Sequence, residues 1–356
     1  MVMKKIIKNV CNLLDEVNPE DVIILHHADH DGFTSSALLN IYFYKKFGQK
    51  AKIVYPSENK HYFKIFQDIL NIKPKYLFIV DALVARYKTA FDKILQNTLI
   101  INMDHHNIVE IQNKNYIELN PHKFGIEYMN SSGLCWLMLR EIDENYFDKL
   151  CWLAGIGAVQ DYCIEDNELL FQTLEKFGFI NTMNFEKLID SELMRIAKMI
   201  NATIRAGQVE YAYQKIFEAG LENRIDILKT DRVLVENYKI HEKNLEKIYN
   251  KFKKMKKVFD KLVFFNLEGN PIQYISYIAE IDKDKKIYVG YSNGLLGFRS
   301  LFYNYDVRRL GRLFNGGGPH PKVAGGKTTK SFDETIKIII KYINSEKSQK
   351  SLNDFL

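Results

Sequence analysis

The stretch TLIINMDHH (Thr98–His106) places an acid and two histidines directly after an apolar run. Short apolar runs of roughly four to eight residues are typical of buried strands. An acidic side chain and two imidazoles at the end of such a strand are costly to bury unless something binds them. The stretch therefore predicts a strand, Leu99–Met103, that ends at a functional site.

The first half of the chain repeats this pattern of strand and helix. Strands are predicted at 22–25, 51–55, 76–80 and 99–103, and helices at 33–44, 61–70, 85–95, 131–140 and 146–157. Alternation of this kind indicates an α/β fold with a parallel sheet and helices on both faces. Parallel sheets bind their ligands at the carboxyl ends of the strands.

Acids and histidines follow several of these strands. They are His27, Asp29, Asp31, Asp81, His105 and Asp161, the last at the end of the helix 146–157. Carboxylates suit Mg2+ and Mn2+, and Mn2+ also accepts imidazole. Two such ions can hold the attacking and leaving oxygens of a phosphoryl displacement. The six residues are enough for a two-metal centre, so we interpret the chain as a metal-dependent phosphoesterase. The alternative for Asp29 and Asp31 is a turn that caps the helix near Phe33.

The neighbouring polar residues are assigned other roles. His106 follows a predicted ligand and is expected to reach a phosphate oxygen or to position the attacking water. Asp104 is expected to accept a hydrogen bond from a ligand imidazole. His26 would point away from His27 in an extended chain and is interpreted as structural. His30 is interpreted as a residue that orients its loop.

The second half has a different sequence pattern. It predicts connecting helices at 185–206 and 238–258, and strands at 262–267, 274–281, 286–291 and 296–301. A short helix is predicted at 306–314 and a closing helix at 332–343. We therefore expect a catalytic domain at 1–185, a helical connector at 186–258, a smaller mixed-sheet α/β domain at 259–345 and a frayed tail at 346–356.

A glycine-rich segment, Asn315–Gly326, lies in the smaller domain. Glycines allow backbone N–H groups to approach an anion closely. The segment also contains His320, and Arg299 lies at a predicted strand end. Arginine offers a planar donor fork suited to phosphate. Together these features favour an anion or nucleotide clamp, whereas the glycines alone are equally typical of an ordinary loop.

These motifs resemble those of the DHH phosphoesterase superfamily. His27-x-Asp29-x-Asp31-Gly32 resembles its first motif, Asp81 the second, Asp104-His105-His106 the third and Asp161 the fourth. Phe298-Arg299-Ser300 and the loop 316–325 resemble the DHH-associated C-terminal domain, which makes 1–185 the DHH catalytic domain. Ile200-Asn201-Ala202 followed by Arg205 is similar to a stretch between the domains of RecJ-like exonucleases. The glycine loop argues against the inorganic pyrophosphatase branch, and the 200–205 stretch favours the RecJ-like branch, archaeal type, over compact nanoRNases.

The resemblance implies how two ions, Mn2+ or Mg2+, would be held. One ion would take Asp31, Asp81, His105 and Asp161, and the other His27, Asp29 and the bridging Asp81. His106 would face the scissile phosphate, in a cleft between the domains. The nucleotide would be bound by Arg299, Ser300, Gly316, Gly317, Gly318 and His320. One departure is Pro319, which stands before His320 where the family has glycine and which lacks an N–H donor.

Three functions remain open at this point. The first is an exonuclease on single-stranded DNA or RNA that acts through a two-metal activated water. The second is a phosphodiesterase or phosphatase for short substrates: a nanoRNase, a cyclic-dinucleotide phosphodiesterase or a phosphoadenosine-phosphate phosphatase. The third is a binding or scaffold protein that partners a replication or repair complex, against which the complete ligand set argues.

Bulk properties agree with a globular protein that binds an anion. The chain has 356 residues, a hydrophobic fraction of 46% and a net charge of +6. No apolar run is long enough to span a bilayer and no signal sequence is recognised, so a cytoplasmic location and no membrane partner are expected. The four cysteines are far apart and form no CxxC pair, which argues against a zinc ribbon.

Overall fold

The computed structural model of the chain describes residues 2–57, 61–82, 87–106, 108 and 110–353. It divides into two compact units, Met1–Ile240 and His241–Leu356. The domain boundaries expected at residues 185/186 and 258/259 stay predictions. No described helix is both long enough and apolar enough to cross a membrane.

The first unit is built on a five-stranded sheet in which every paired strand is parallel to its neighbour. Its strands are β1 Val22–His26, β2 Lys52–Val54, β3 Tyr76–Val80, β4 Leu99–Met103 and β5 Tyr116–Glu118, in the order β2-β1-β3-β4-β5. The predicted α/β fold with a parallel sheet is confirmed, with β5 as an additional strand. His26 pairs with Val80, and Val80 with Met103. The ends of β1, β3 and β4 therefore lie side by side at one edge.

Thirteen α-helices are described between residues 2 and 255, and the last of them crosses the boundary between the two units. They are α1 Val2–Leu14, α2 His30–Phe47, α3 Tyr62–Ile72, α4 Lys88–Ile94, α5 Ser131–Arg140, α6 Glu144–Lys149, α7 Cys151–Gln160, α8 Glu168–Lys176, α9 Phe185–Leu188, α10 Glu192–Arg205, α11 Val209–Glu222, α12 Asp226–Thr230 and α13 Arg232–Met255. α2 is buried along most of its length and packs against α5, α7 and α11. Its burial places the residues at its first turn inside the unit.

Several predicted helices differ in extent from those observed. The helix expected at 146–157 is two helices, α6 and α7, because the backbone leaves helical geometry at Leu150 (ψ 7°). The helix expected at 185–206 is likewise divided into α9 and α10. The segment 238–258 begins inside α13 and ends in a strand. Residues 85 and 86 of the helix expected at 85–95 lie outside the described residues.

The second unit contains a six-stranded mixed sheet in the order β10-β11-β9-β8-β7-β6. Its strands are β6 Lys257–Phe259, β7 Leu262–Asn266, β8 Ile287–Ser292, β9 Leu295–Arg299, β10 Gly317–His320 and β11 Val323–Lys327, and its helices are α14 Tyr274–Asp282, α15 Arg308–Leu313 and α16 Phe332–Asn353. Only β7 and β8 pair in parallel. The predicted smaller α/β domain with a mixed sheet is confirmed.

The structure differs from three predictions for the second unit. The strand expected at 274–281 is the helix α14, because its apolar residues also recur at helical spacing, as Tyr274, Ile275, Ile278 and Ala279 do. The glycine-rich loop is a hairpin, β10–β11. A side chain at Gly318 would lie 1.9 Å from the carbonyl oxygen of Val323, so the glycine permits the close pairing of the strands. The segment expected as a frayed tail is helical through Asn353, and residues 354–356 lie outside the described residues.

Candidate metal centre

The loop after β1 is folded tightly onto the start of α2. Asp29 caps the helix, since its Oδ1 accepts a hydrogen bond from the backbone N–H of Gly32 at 3.1 Å. A Cβ at Gly32 would lie 2.2 Å from the carbonyl oxygen of His27, so only glycine fits there. The other oxygen of Asp29 lies 2.7 Å from Nδ1 of His27. The capping role considered as an alternative is therefore real, and it leaves Oδ2 of Asp29 beside His27.

Asp31 is fully buried in the first turn of α2, where the start of α5 holds it. Its Oδ1 accepts hydrogen bonds from Nδ2 of Asn130 (2.6 Å) and the backbone N–H of Ser132 (2.9 Å). Its Oδ2 accepts one from the backbone N–H of Ser131 (3.0 Å). Asn130 was missed by the sequence analysis, although Asn130-Ser131-Ser132-Gly133 is a recognisable helix start. The carboxylate is thus fixed before any ligand binds.

Asp81 follows β3 and has a left-handed backbone conformation (φ 49°). It is 2% exposed, and its Oδ1 lies 3.2 Å from Nε2 of His105. Its Oδ2 is buried and has no hydrogen-bond partner. A buried carboxylate oxygen is rarely left without a partner, so this atom is available to a cation.

The residues after β4 divide between two roles. Nε2 of His105 lies 3.8 Å from Oδ2 of Asp31 and 3.8 Å from Oδ2 of Asp161. The adjacent ring of His106 has its Nδ1 2.7 Å from Oδ1 of Asp104. Asp104 therefore holds the imidazole of His106 rather than that of the predicted ligand His105.

Asp161 lies at the end of α7, with its two oxygens directed to different residues. Oδ1 lies 3.0 Å from Nε2 of His30, and Oδ2 is the oxygen near His105. Nδ1 of His30 lies 3.1 Å from Nδ2 of Asn201 on α10. His26 points away from this group, as expected, and packs between Phe33, Tyr55 and Tyr213.

Three sets of side chains at this edge each have ligand atoms within 4.8 Å of one another. The sets are Asp31, His105 and Asp161; His27, Asp29 and Asp81; and Asp81, His105 and His106. Asp81 and His105 each belong to two of them, and the contact of 3.2 Å between these two side chains links the sets. All six predicted metal ligands lie in this cluster. Carboxylate and imidazole donors, together with the unpartnered Oδ2 of Asp81, fit divalent cations such as Mn2+ and Mg2+.

Charges in the cluster shift the pKa values of its histidines in opposite directions. Burial and the neighbouring charge of His106 lower the pKa of His105 to about 4, which leaves this imidazole neutral and able to ligate. Burial also disfavours the cation of His106, but the carboxylate of Asp104 outweighs it and raises the pKa to about 9. In the same way, burial is outweighed at His30 by Asp161, which raises the pKa to about 9, although the amide nitrogen of Asn201 facing Nδ1 suits the neutral ring.

The carboxylates of the cluster crowd one another. Burial and the charge of Asp161 raise the pKa of Asp31. Burial and the charge of Asp29 raise the pKa of Asp81 well above its usual range. Both shifts have the same physical causes, burial and nearby negative charge, whereas the imidazoles of His27 and His30 outweigh burial at Asp29 and Asp161 and lower the pKa values of those two carboxyls. Divalent cations would relieve this repulsion, which again fits a metal centre.

The predicted substrate-binding residues lie in the second unit. Arg299 is buried, and it donates from Nε to Oγ of Ser276 at 2.6 Å and from Nη1 to the carbonyl oxygen of Ala324 at 3.0 Å. Ser300 donates from its hydroxyl to the carbonyl oxygen of Tyr305. His320 is buried at the end of β10. Ser276 was missed because its segment was predicted as a strand.

The glycines assigned to the same binding site also lie in this unit. Gly317 and Gly318 are in β10, the edge strand of the sheet, and Gly316 immediately precedes it. A Cβ at Gly316 would lie 2.1 Å from the carbonyl oxygen of Gly325, whereas one at Gly317 would meet nothing within 4 Å. The close approach of the paired strand therefore explains why Gly316 and Gly318 have no side chain. Gly317 is the glycine of the three whose backbone has free space beside it.

Solved structures share this fold at low sequence identity. They include the exonuclease RecJ bound to manganese, with 17% identity over 94% of both chains and a TM-score of 0.63. A DHH domain described as belonging to a family of ribosomal proteins has 15% identity over 96% of this chain and 91% of that chain, with a TM-score of 0.72. A pGpG-specific phosphodiesterase from Vibrio cholerae has 14% identity over 91% of this chain and 99% of that chain, with a TM-score of 0.50.

No protein-family model and no curated protein match this chain. The structural likeness extends over nearly the whole chain, and at these identities it shows the fold alone. The expected resemblance is confirmed at that level: this chain has the fold of RecJ-like DHH proteins.

Proposed function

We propose that this chain hydrolyses phosphodiester bonds with the help of two divalent metal ions, Mn2+ or Mg2+, and removes nucleotides from single-stranded DNA or RNA. The observation that carries the proposal is that carboxylate oxygens of Asp31, Asp81 and Asp161 lie within 3.8 Å of Nε2 of His105 at the carboxyl edge of the parallel sheet, with Oδ2 of Asp81 unpartnered. The shared fold with a manganese-bound exonuclease supports it.

The ligand residues would act in two groups. Asp31, Asp81, His105 and Asp161 would hold one ion, and His27, Asp29 and Asp81 the other. Ions bound in this way would activate a water molecule as nucleophile and offset the charge that develops on the phosphate. The chain itself supplies the alignment, since hydrogen bonds to both oxygens of Asp31 fix that carboxylate in place.

His106 would contribute a positive charge next to the phosphate. The carboxylate of Asp104, 2.7 Å away, holds its ring and favours its protonated form. A cationic imidazole can donate a hydrogen bond to a phosphate oxygen, and such charge-assisted bonds are among the stronger ones in proteins. In the second unit, Arg299, Ser300, His320 and the backbone at Gly316–Gly318 would bind the nucleotide.

The experiment is a cleavage assay with 5′- and 3′-labelled strands of DNA and RNA, in Mn2+ or Mg2+ and in EDTA. We expect metal-dependent release of mononucleotides from the wild-type chain and none from Asp81→Asn. Asparagine tolerates the left-handed backbone of this position but provides one weak ligand oxygen in place of a carboxylate. Asp68→Asn is the matched control and should cleave normally, because Asp68 is a partly exposed acid on α3 that pairs with Lys64. Full activity of Asp81→Asn would contradict the metal assignment.

A second candidate is hydrolysis of short substrates, such as oligonucleotides of a few nucleotides, cyclic dinucleotides or phosphoadenosine phosphate. The shared fold with a pGpG-specific phosphodiesterase favours it. A length series of labelled oligonucleotides separates the two candidates. Turnover that stops beyond a few nucleotides would support the short-substrate function, whereas processive shortening of long strands would support the exonuclease. A replication or repair protein as partner is compatible with either.

A further inference from the structure

His30 forms a link between two elements of the first unit that meet at the metal centre. It is the first residue of α2, and 6% of it is exposed. Its Nε2 lies 3.0 Å from Oδ1 of Asp161, the residue that ends α7. Its Nδ1 lies 3.1 Å from Nδ2 of Asn201 in α10. Both ring nitrogens are therefore used, and His30 itself belongs to none of the three ligand sets of the centre.

The hydrogen bonds have a defined direction. An amide nitrogen can only donate, so Nδ1 of the neutral ring accepts from Asn201 and the ring proton lies on Nε2. Nε2 then donates to Oδ1 of Asp161. The cationic ring would donate from Nε2 as well, so the contact with Asp161 does not depend on the protonation state.

This contact separates the functions of the two oxygens of Asp161. Oδ1 is engaged by His30, while Oδ2 lies 3.8 Å from Nε2 of His105 and belongs to the ligand set with Asp31. A carboxylate at the end of a helix has rotational freedom unless a neighbour fixes it. Hydrogen bonds from residues behind a ligand are a common way to fix its orientation and to tune its affinity for metal.

We propose that His30, itself oriented by Asn201, is a positioning residue that presents Oδ2 of Asp161 to a metal ion. This inference rests on the proposed function and adds to it a relay, Asn201–His30–Asp161, that acts on one of the two ions. α10 packs against both α7 and α2, so the relay also connects this helix to the centre. Loss of the relay would weaken the ion held by Asp31, His105 and Asp161 and spare the ion held by His27, Asp29 and Asp81.

The test is calorimetric titration of the full chain with Mn2+, in which two binding steps are resolved. His30→Leu should weaken one step by about 10–100-fold, the usual effect of removing a hydrogen-bond partner of a ligand. His30→Gln retains an N–H donor near the position of Nε2 and should restore most of the affinity. Asn201→Leu should weaken the same step by a smaller factor, and it should add nothing in the His30→Leu background because both variants act through one contact.

A matched control distinguishes positioning from general packing. Asn40 is another buried asparagine on the neighbouring α2, and it bonds to the backbone of Ala51 and the hydroxyl of Tyr213. Asn40→Leu should lower the melting temperature in EDTA while leaving both Mn2+ steps unchanged. His30→Leu with wild-type Mn2+ affinity, or His30→Gln as weak as His30→Leu, would overturn the inference.

Failure of the inference can be told apart from failure of the proposed function. A wild-type chain that binds neither Mn2+ nor Mg2+ would overturn both. A chain that binds two ions but cleaves no oligonucleotide would overturn the proposed substrate alone, and the calorimetric comparison would still decide the role of His30.

Discussion

Gly157 lies directly against the carboxylate of Asp31. A Cβ built on Gly157 would come within 2.6 Å of Oδ1 of Asp31 and 2.2 Å of Oγ of Ser132. α7 can therefore approach α2 and α5 only because this position has no side chain. The position of the proposed metal ligand Asp31 thus depends on a residue that has no side chain.

Gly157→Ala should displace Asp31 and weaken metal binding. Alanine is favoured over glycine in a helix by about 1 kcal/mol, but overpacking of a filled interior typically costs about 1–3 kcal/mol. We expect a net loss of stability together with at least a tenfold loss of Mn2+ affinity, measured by thermal unfolding and calorimetry.

Gly155→Ala is the control for Gly157→Ala. It lies in the same helix, and its Cβ would meet the side-chain ends of Leu174 and Leu193, which can move. Its effect should be confined to stability. Equal effects of the two variants on Mn2+ affinity would show that crowding at Asp31 is not the cause.

Removal of metal should make stability more sensitive to alkaline pH. In the folded chain without metal, the carboxylate of Asp104 outweighs burial and raises the pKa of His106 to about 9, above the unfolded value of about 6.5. The contribution of this pair to stability is fully present below pH 6.5 and is lost as the pH rises to about 9. Metal binding instead strengthens with pH, because ligands must be deprotonated. The difference in melting temperature between Mg2+ and EDTA should therefore widen from pH 6.5 to 9; a constant difference would contradict these assignments.

Asp104→Asn should move the alkaline limit of activity to lower pH. Without the Asp104 carboxylate, burial dominates at His106 and its pKa falls, so the imidazolium is lost earlier as pH rises. We expect the alkaline limb of kcat/KM to shift down by about one pH unit or more, since one unit corresponds to only about 1.4 kcal/mol. Glu118→Gln, which removes a negative charge from β5, should leave the profile in place. An unchanged profile in Asp104→Asn would exclude His106 as the titrating group.

Arg299→Lys should impair substrate binding more than turnover. Lysine cannot reproduce the fork that contacts both Ser276 and the backbone at Ala324. Hydrogen bonds to charged groups contribute about 1.5–3 kcal/mol, so a rise in KM of about tenfold or more is expected with kcat nearly unchanged. Ser276→Ala removes only one of the contacts and should give a smaller rise. A normal KM in Arg299→Lys would place Arg299 among purely structural residues.

The parallel sheet and the positions of its strand ends could be predicted because they follow from local patterns. Apolar runs such as Tyr76–Val80 have the length of strands, and the residues after them must meet at one edge of a parallel sheet. That rule brings Asp31, Asp81 and His105 together without knowledge of the side-chain contacts.

The missed features depend on tertiary contacts that no local pattern contains. The pairing of Asp104 with His106 rather than His105 is set by ring orientation, and the strand predicted at 274–281 is a helix because its residues fit either period. The hydrogen bond from Asn130 to Asp31 joins positions about a hundred residues apart. Such contacts are invisible to periodicity, although the asparagine itself could be recognised as a helix cap.

The backbone of Asp81 has a consequence for the descent of related chains. Its φ of 49° is unfavourable for most residues and is best tolerated by glycine, asparagine and aspartate. If selection for hydrolysis were relaxed, the fold would still restrict this position, and the acid would be replaced mainly by asparagine or glycine rather than by a random residue. Asparagine or glycine at this one site would then identify a related protein that retains the fold and has lost the proposed hydrolytic activity.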